Sequence, residues 1–546
     1  MHTISRFCGN LAKPLSLACL IVMLSWGQSR AADQLAANAV RRPAEIQQEA
    51  QVSAELVTVN GFSFTGNTAI GTLELQPLLA GYVGQACGLE KLRQAADRVT
   101  AEYHRRGMTL ATAYIPPQQI EGGIVTIAVV EGRIGQIMIE GNKNYSASFI
   151  RRFLTAGKTD ESPTVESLEK GLLLLNSNFT DLKVIANIVP GREPGTSDVH
   201  IKVEDKTPLH LTLSGNNYGS KYVSRMRYSA QADWVNALSP GAHMVVGATL
   251  GEQPKNMKVF SGSYEIPVNS DGTMFGITGY SGNFEVGKDF AELGIHNKEN
   301  SEELYISHPL LKRRLSSLTG KLGFRAADAK FYLLDEISKK DNTRVVYAQI
   351  QADQTFLAGR SLFDLTLSKG LGTAMGGSGT DEETPVSRQN ASNDFYRINA
   401  GFLRLQPFND VFSTLVRVSV QWTTDNLLAG EEWLIGGVNS VHGYTAGEAS
   451  GDKGYSASLS LRAMPLEKKE LLQLAAYLDY GYAYKRFVQI GSSKKNDLAG
   501  VGFGVSTHVE SFAKTDLRLD VGFPLKPSEN YLKESPIVYL ETAFRF

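Results

Sequence analysis

From Leu209 to Phe546 the chain runs in stretches of about ten residues that alternate apolar and polar side chains, with no helical periodicity between them. Met226, Tyr228, Ala230, Ala232 and Trp234 share one face of such a stretch, and Arg227, Ser229, Gln231 and Asp233 share the other. Phe363, Leu365 and Leu367 oppose Asp364, Thr366 and Ser368; Val416, Val418, Val420 and Trp422 oppose Arg417, Ser419 and Gln421. Successive side chains of a strand point to opposite faces, so each stretch has one wholly apolar face and one that carries charge at mid-strand. A soluble sandwich alternates too. Strands this long, with charges in the middle of the polar face, fit lipid outside and water inside, and closure into a barrel leaves no backbone edge in the lipid. About sixteen such strands can be counted, an even number as bacterial barrels require.

Connection lengths are read the same way. Ala237–Gly241, Pro267–Gly272, Gln406–Asp410 and Met464–Lys469 are short, whereas Phe284–Asn300, Ala327–Asn342, Gly370–Asn393 and Thr424–Gly454 are long. Short turns on one side and long loops on the other is the arrangement of outer-membrane barrels. The last of these connections holds Gly436-Gly437 and Val441-His442-Gly443-Tyr444, and we read it as a loop folded back into the lumen. The chain ends with Val538, Leu540, Thr542, Phe544 and Phe546 on one face. A terminal Phe on such a strand resembles the outer-membrane insertion signal, so Phe544 and Phe546 are expected to direct assembly.

The N-terminal portion reads differently. Residues 1–31 have the form of a signal peptide: Arg6 and Lys13, an apolar run through Leu17, Leu20, Ile21, Val22, Met23 and Leu24, then Ser29-Arg30-Ala31. Its removal takes Cys8 and Cys19 and leaves Cys87 alone, so no internal disulfide is expected and Cys87 is read as a small buried hydrophobe. Loss of Arg6, Lys13 and Arg30 moves the formal charge from −1 to about −4, which gives no pull toward nucleic acid. Residues 32–55 are polar, either a short helix opened by Pro43 or an unstructured leader. Two repeats follow, 56–132 and 133–206, each ordered strand, helix, helix, strand, strand, with Gly66-Asn67 and Gly141-Asn142 at matching turns. Lys206-Thr207-Pro208 closes the second repeat, and the barrel occupies 207–546.

No enzyme constellation is present. Gly-x-Ser-x-Gly, His-Glu-x-x-His and Walker patterns are missing, and the nine histidines are scattered, so no catalytic residue, metal or cofactor is expected. Gly500-x-Gly502-x-Gly504 lies within a strand pattern and is read as close packing or strand bending.

Several of these marks, in this order, resemble one family over nearly the whole mature chain. Phe62-x-Phe64-x-Gly66-Asn67-Thr68 and Val130-Glu131-Gly132 resemble POTRA domains. Ser214-Gly215-Asn216-Asn217-Tyr218-Gly219 resembles a first barrel strand and loop. Val441-His442-Gly443-Tyr444 resembles the signature of a sixth extracellular loop, here 424–454, and Tyr477-Leu478-Asp479-Tyr480-Gly481 that of a thirteenth strand. Together they resemble the outer-membrane transporters of two-partner secretion, the TpsB group of ShlB, FhaC and HecB type. The resemblance implies α+β periplasmic POTRA repeats followed by an all-β transmembrane barrel in the outer membrane of a Gram-negative bacterium. It implies export of an unfolded partner, a TpsA-like adhesin, haemolysin or similar exoprotein, bound by the POTRA domains and passed through the barrel. Further implied partners are the barrel-assembly machinery during insertion and outer-membrane lipid. Two alternatives are an insertase, which usually carries three to five POTRA domains, and a passive porin, which needs none. In the family an Arg of the loop pairs with the strand-thirteen Asp. This chain has His442 in place of that Arg and Ser460-Leu461-Arg462 where many relatives have Glu-Leu-Arg. Asp479, Gly481, Ser460 and Arg462 are therefore the expected wall partners of the loop. A single His bond is expected to make a weaker lock than a bidentate Arg.

Overall fold

The computed structural model describes residues 56–157, 163–179, 181–193, 195–380, 383–469, 471–488, 493–510, 513–528 and 536–546. The expected signal peptide and leader lie outside the described residues. The first unit comprises β1 (Val57–Thr58), β2 (Gly61–Thr65), α1 (Thr72–Leu75), a 3-10 turn at Gln76–Tyr82, β3 (Ala86–Cys87), α2 (Leu89–Arg105), β4 (Thr112–Tyr114) and β5 (Ile124–Val130). Its main sheet is ordered β2-β5-β4, with β2 parallel to β5. The α2 stripe Leu92, Ala95, Ala96, Val99 and Tyr103 recurs at helical spacing and is buried in one core with Val125, Ile127, Val129 and Cys87.

The second unit repeats the plan with β6 (Arg133–Glu140), α3 (Ala147–Leu154), α4 (Val165–Asn178), β7 (Leu182–Pro190) and β8 (Thr196–Asp205), in sheet order β6-β8-β7. Ser146 and Thr164 cap α3 and α4 by accepting the N–H of Phe149 and Ser167, each at 3.1 Å. The two matching turns are built alike. Gly66 and Gly141 sit at φ 76° and 87°, where a Cβ would collide with the carbonyls of Val129 and Val203. The Asn67 and Asn142 amides donate to the carbonyls of Ile70 (3.0 Å) and Tyr145 (2.8 Å). A carboxylate at the end of the third strand closes each turn. Glu131 accepts the Ala69 N–H at 2.6 Å, the Tyr103 hydroxyl at 2.9 Å and the Thr68 hydroxyl; Asp205 accepts the N–H groups of Lys143 (2.7 Å) and Asn144 (2.5 Å).

The barrel begins with β9 (Leu209–Asn216), β10 (Arg227–Val235), β11 (His243–Gly251), β12 (Met257–Pro267), β13 (Met274–Glu285), β14 (His296–Lys312), β15 (Ser316–Leu333) and β16 (Glu336–Phe356). It continues through β17 (Gly359–Gly370), β18 (Tyr396–Pro407) and β19 (Phe412–Thr423), then a loop hairpin of β20 (Trp433–Ile435) and β21 (Ala449–Gly451). It finishes with β22 (Lys453–Ala463), β23 (Gln473–Tyr484), β24 (Lys495–Glu510), β25 (Lys514–Pro524) and β26 (Ile537–Arg545). Sixteen antiparallel strands close the wall, with β26 paired to β9.

One of the long connections proves to be strand, and a second is shortened by the strands that flank it. β15 and β16 run on through most of 327–342 and reverse at Leu334-Asp335, both at positive φ (52° and 63°), so the link is a two-residue hairpin. β13 likewise runs to Glu285 and β14 restarts at His296. β14, β15 and β16 span 17, 18 and 21 residues. Beyond the lipid both faces of a strand are wet, so the apolar half of the alternation ends while the ladder continues.

The second unit packs onto one rim of the barrel. Val235, the last residue of β10, is buried in its core with Phe149 and Phe179. The adjoining turn approaches so closely that a Cβ at Gly241 would lie 2.6 Å from the Phe149 ring. Lys170 on α4 meets Asp271 of the next turn at 3.0 Å.

A loop fastened to the lumen wall

The chain leaves β19 at Thr423 and re-enters the wall at Lys453. Between them the β20–β21 hairpin carries a tip that reverses at Gly436 and Gly437, both in the left-handed region at φ 103° and 92°. The Gly437 N–H donates to Val441 O at 3.1 Å and sets the following residues against β23 to β26.

Each motif residue has its own seat. Val441 is fully buried with Ile435, Tyr444, Ala483 and Leu498, and a Cβ at Gly481 would come within 2.9 Å of it. His442 is buried, and Asp479 Oδ2 accepts its backbone N–H at 3.0 Å and lies 2.5 Å from its Nδ1. The imidazole stacks on Tyr477, with centroids 4.3 Å apart and planes at 15°, and meets the edge of Tyr539 at 5.7 Å. The Gly443 N–H donates to the Tyr539 hydroxyl at 3.0 Å, and that hydroxyl donates to Tyr444 O at 2.7 Å. The Tyr444 hydroxyl lies 2.7 and 2.9 Å from the carbonyls of Lys526 and Ala499 and accepts the Lys526 N–H at 3.2 Å.

The wall is bare where the loop lies. A Cβ at Gly500 would overlap the His442 carbonyl, and one at Gly522 would overlap the Gly443 nitrogen. At Gly502 it would lie 3.4 Å from the His442 Cβ. Glycines at i, i+2 and i+4 occupy one face of a strand. In β24 that is the lumen face, since Phe503 and Val505 are exposed outside. The Gly500-x-Gly502-x-Gly504 spacing was thus a readable sign of a close neighbour on that face, although nothing in it named the loop.

A second set of contacts holds the base, and the sequence reading missed it entirely. Glu431 is buried between Arg325 of β15 and Arg397 of β18, paired with both. Asp452 receives Arg388 in a fork at 2.6 and 3.2 Å and also accepts the N–H groups of Leu427 (2.8 Å) and Arg486 (2.6 Å). The Gln421 amide donates to the carbonyls of both Glu431 (2.9 Å) and Asp452 (3.0 Å). Arg325 is 106 residues from Glu431 and Arg388 is 64 from Asp452, so no local pattern joins them.

Of the expected wall partners, Asp479 and Gly481 meet the motif. Among the described residues no hydrogen bond or ion pair links Ser460 or Arg462 to it. Register is the reason: Ser458 lies opposite Asp479, Ser460 opposite Tyr477 and Arg462 opposite Ala475, progressively further along the wall. Arg462 reaches Ser460 instead, at 3.5 Å. The expected single bond from His442 is also incomplete, because Asp479 takes the backbone N–H as well. Phe544 and Phe546 are exposed on the outer face, and Phe546 closes the barrel by exchanging backbone hydrogen bonds with Leu211 at 2.9 and 3.3 Å.

With this geometry in view, comparison with known proteins is specific. The family described as haemolysin secretion/activation protein ShlB/FhaC/HecB matches residues 195–507, and the ShlB-type POTRA domain matches residues 57–132. The heme/hemopexin transporter protein HuxB of Haemophilus influenzae (strain 86-028NP) is 25% identical over 457 residues, 81% of this chain and 79% of the relative. The outer membrane transporter CdiB of Dickeya dadantii (strain 3937) is 21% identical over 469 residues, 84% and 81% of the two chains. Among solved structures, CdiB from Escherichia coli shares the fold with a TM-score of 0.75 at 20% identity, covering 92% of this chain and 93% of that one.

Proposed function

This chain belongs to the haemolysin secretion/activation family of ShlB, FhaC and HecB, and from that premise we propose how it moves its cargo: the POTRA pair takes up an unfolded exoprotein in the periplasm and feeds it to a lumen guarded by the inward loop. It is a two-partner secretion transporter of the outer membrane. The observation that carries the proposal is the loop tip buried against the wall, with Asp479 gripping His442 by both ring and backbone. A passive pore has no need of such a grip. A conduit that must stay shut until cargo arrives does.

The POTRA sheets support uptake. Among the described residues each main sheet has three strands, with β2 and β4 in the first and β6 and β7 in the second at its edges. An extended chain can add to an edge through backbone hydrogen bonds, which read little sequence and suit an unfolded substrate. The packing of the second unit on the barrel rim keeps the hand-over short. His442, Asp479 and Gly481 act as the latch, displaced when the chain enters. The periplasm holds no ATP, and folding outside the cell draws the chain through. The cargo is an exported exoprotein of adhesin or haemolysin class. The barrel-assembly machinery inserts the transporter, reading Phe544 and Phe546.

The test is deletion of residues 56–206. The barrel is expected in the outer membrane in heat-modifiable form, because all sixteen strands and Phe546 remain, with no secretion of a large exported protein encoded beside the transporter. That protein appearing in the medium would overturn the receptor role.

A further inference from the structure

Where the three longest strands rise past the apolar band, they carry a row of charge that the transport route leaves unused. Lys298 of β14 stands directly opposite Lys330 of β15, and Lys330 directly opposite Lys340 of β16. The rows beneath run without a register shift down to the apolar wall: Asn300, Asp328 and Asn342; then Glu302, Ala326 and Arg344; then Leu304, Phe324 and Val346. Leu304 and Val346 are exposed on the outer surface, so the lysines share that surface and face away from the lumen. Six residues separate Leu304 from Lys298, about 20 Å along the strand at ~3.3 Å per residue. Strand tilt reduces this to roughly 15 Å of height. That level lies above the acyl chains, among the saccharides of the outer leaflet.

Like charges directly opposite across strands repel, and strands only ~4.8 Å apart put three ammonium groups within about 10 Å. Two described carboxylates beside the row have other partners. Asp328 is engaged by Arg344 at 2.8 Å and Asp335 faces His296 at 3.6 Å. Among the described residues no carboxylate lies within ion-pair distance of Lys298, Lys330 or Lys340; the Lys298 ammonium lies 5.3 Å from the Tyr332 ring centroid. A second feature borders the row. His296 and Tyr332 are paired across β14 and β15 on the same face and stack with centroids 4.0 Å apart and planes at 13°. A cation row beside a flat aromatic platform is the surface a phosphorylated sugar fits: phosphates across the ammonium groups, a sugar ring against the platform.

We propose that the outward face of β14, β15 and β16 binds the phosphorylated core saccharide of lipopolysaccharide. The proposal rests on the reading that places the POTRA end in the periplasm and these strand tips outside.

The experiment uses the full-length protein purified in detergent. The probes are rough lipopolysaccharide with a phosphorylated core, the same material dephosphorylated, and phosphatidylglycerol vesicles. The compared proteins are the parent, the triple variant Lys298→Gln/Lys330→Gln/Lys340→Gln, and Lys258→Gln, an exposed lysine of β12 outside the row. Loss of three lysines is expected to weaken binding of the phosphorylated probe about a hundredfold, at roughly a factor of five per lysine. Lys258→Gln is expected to bind as the parent does. Without lipopolysaccharide the triple variant should melt no lower than the parent, since it relieves repulsion; a merely structural role for the row predicts a lower melting temperature. Equal binding by the triple variant, an equal loss in Lys258→Gln, or equal binding of the dephosphorylated probe or of phosphatidylglycerol would each overturn the proposal. So would lost cargo release with unchanged lipopolysaccharide binding, which would assign the row to the exoprotein. Glu336→Cys on intact cells separates the two readings. No labelling by a membrane-impermeant maleimide overturns the orientation and the proposal with it, whereas labelling with unchanged lipopolysaccharide binding overturns the proposal alone.

Discussion

Replacing Asp479 with Ala removes the acceptor for both the ring and the backbone N–H of His442. Both side chains are sequestered, at 4% and 0% exposure, so water does not compensate. Breaking a buried pair by deleting one partner costs about 3–5 kcal/mol, part of it from the donor left without an acceptor. At ~1.4 kcal/mol per factor of ten, the seated tip loses roughly a hundredfold to several thousandfold in population relative to released forms. Asp479→Asn is a graded version. Its carbonyl oxygen still accepts the backbone N–H, so only the ring contact is perturbed, and the loss is expected near ~1–2 kcal/mol, about the worth of one hydrogen bond. Planar-bilayer recording reads the result directly: time spent in the high-conductance state should rise from the parent through Asp479→Asn to Asp479→Ala. His442→Arg should stay near the parent, because an Arg can occupy the same carboxylate with two donors. If Asp479→Ala leaves conductance and secretion at parental values, Asp479 does not hold the loop. If Asn and Ala behave alike, the backbone contact contributes nothing.

Gly500→Ala attacks the same seat from the wall side: its Cβ overlaps the His442 carbonyl, so overpacking of about 1–3 kcal/mol should raise high-conductance time while heat-modifiable barrel in the membrane stays normal. Glu131→Gln should lower the melting temperature of the first POTRA unit, equivalent to about 1–2 kcal/mol for weakened charge-assisted bonds to Thr68, Ala69 and Tyr103. Partial burial opposes ionisation of Glu131, yet those donors outweigh it and hold its pKa below the ordinary 4.5. Its stabilisation is therefore present above about pH 4.5 and is lost as pH falls through the lower folded value, so parent and Glu131→Gln melting curves should converge in acid; a constant gap would refute the assignment. Deleting Phe546 should reduce the amount of heat-modifiable barrel, and unchanged amounts would mean that the terminal strand does not direct insertion.

The barrel was legible because lipid imposes one face on every strand that crosses it: Leu517, Leu519 and Phe523 had to be outside, and they are exposed there. That same rule hid the tips of β15 and β16. Lys330, Asp328 and Lys340 carry no apolar alternation, and only the ladder shows that they are strand. The repeats were legible from the helical stripes and the paired Gly-Asn turns. Their closing carboxylates were not, since Glu131 and Asp205 act about sixty residues away from the turns they hold. At the loop, resemblance pointed to His442 and Asp479 but misassigned Ser460 and Arg462. Two residues of register decide whether a lumen side chain meets the tip, and spacing along one strand does not report where a loop ends.

The two tiers of loop contacts differ in kind, and this determines which part can move. The base is paired to three arginines from two strands and a neighbouring loop, through Glu431 and Asp452, and its hairpin is tied by a ladder from Trp433 to Gly451. Pulling the base out would strand buried charges on both sides, each expensive to leave unpaired. The tip between Ile435 and Ala449 is held by Asp479, two tyrosine hydroxyls, a small apolar cluster, and contacts from Arg417 to the Asn439 carbonyl (3.5 Å) and from the Ser528 hydroxyl to Glu448. Its reversal residues, Gly436 and Gly437, already sit where glycine moves freely. Release should therefore be a hinge, with the tip leaving the glycine-lined wall while the ion pairs stay made. Arg388→Gln would then loosen the base and lower the yield of folded barrel, whereas Asp479→Ala would change conductance with the yield intact. The reverse pattern would place the moving part at the base.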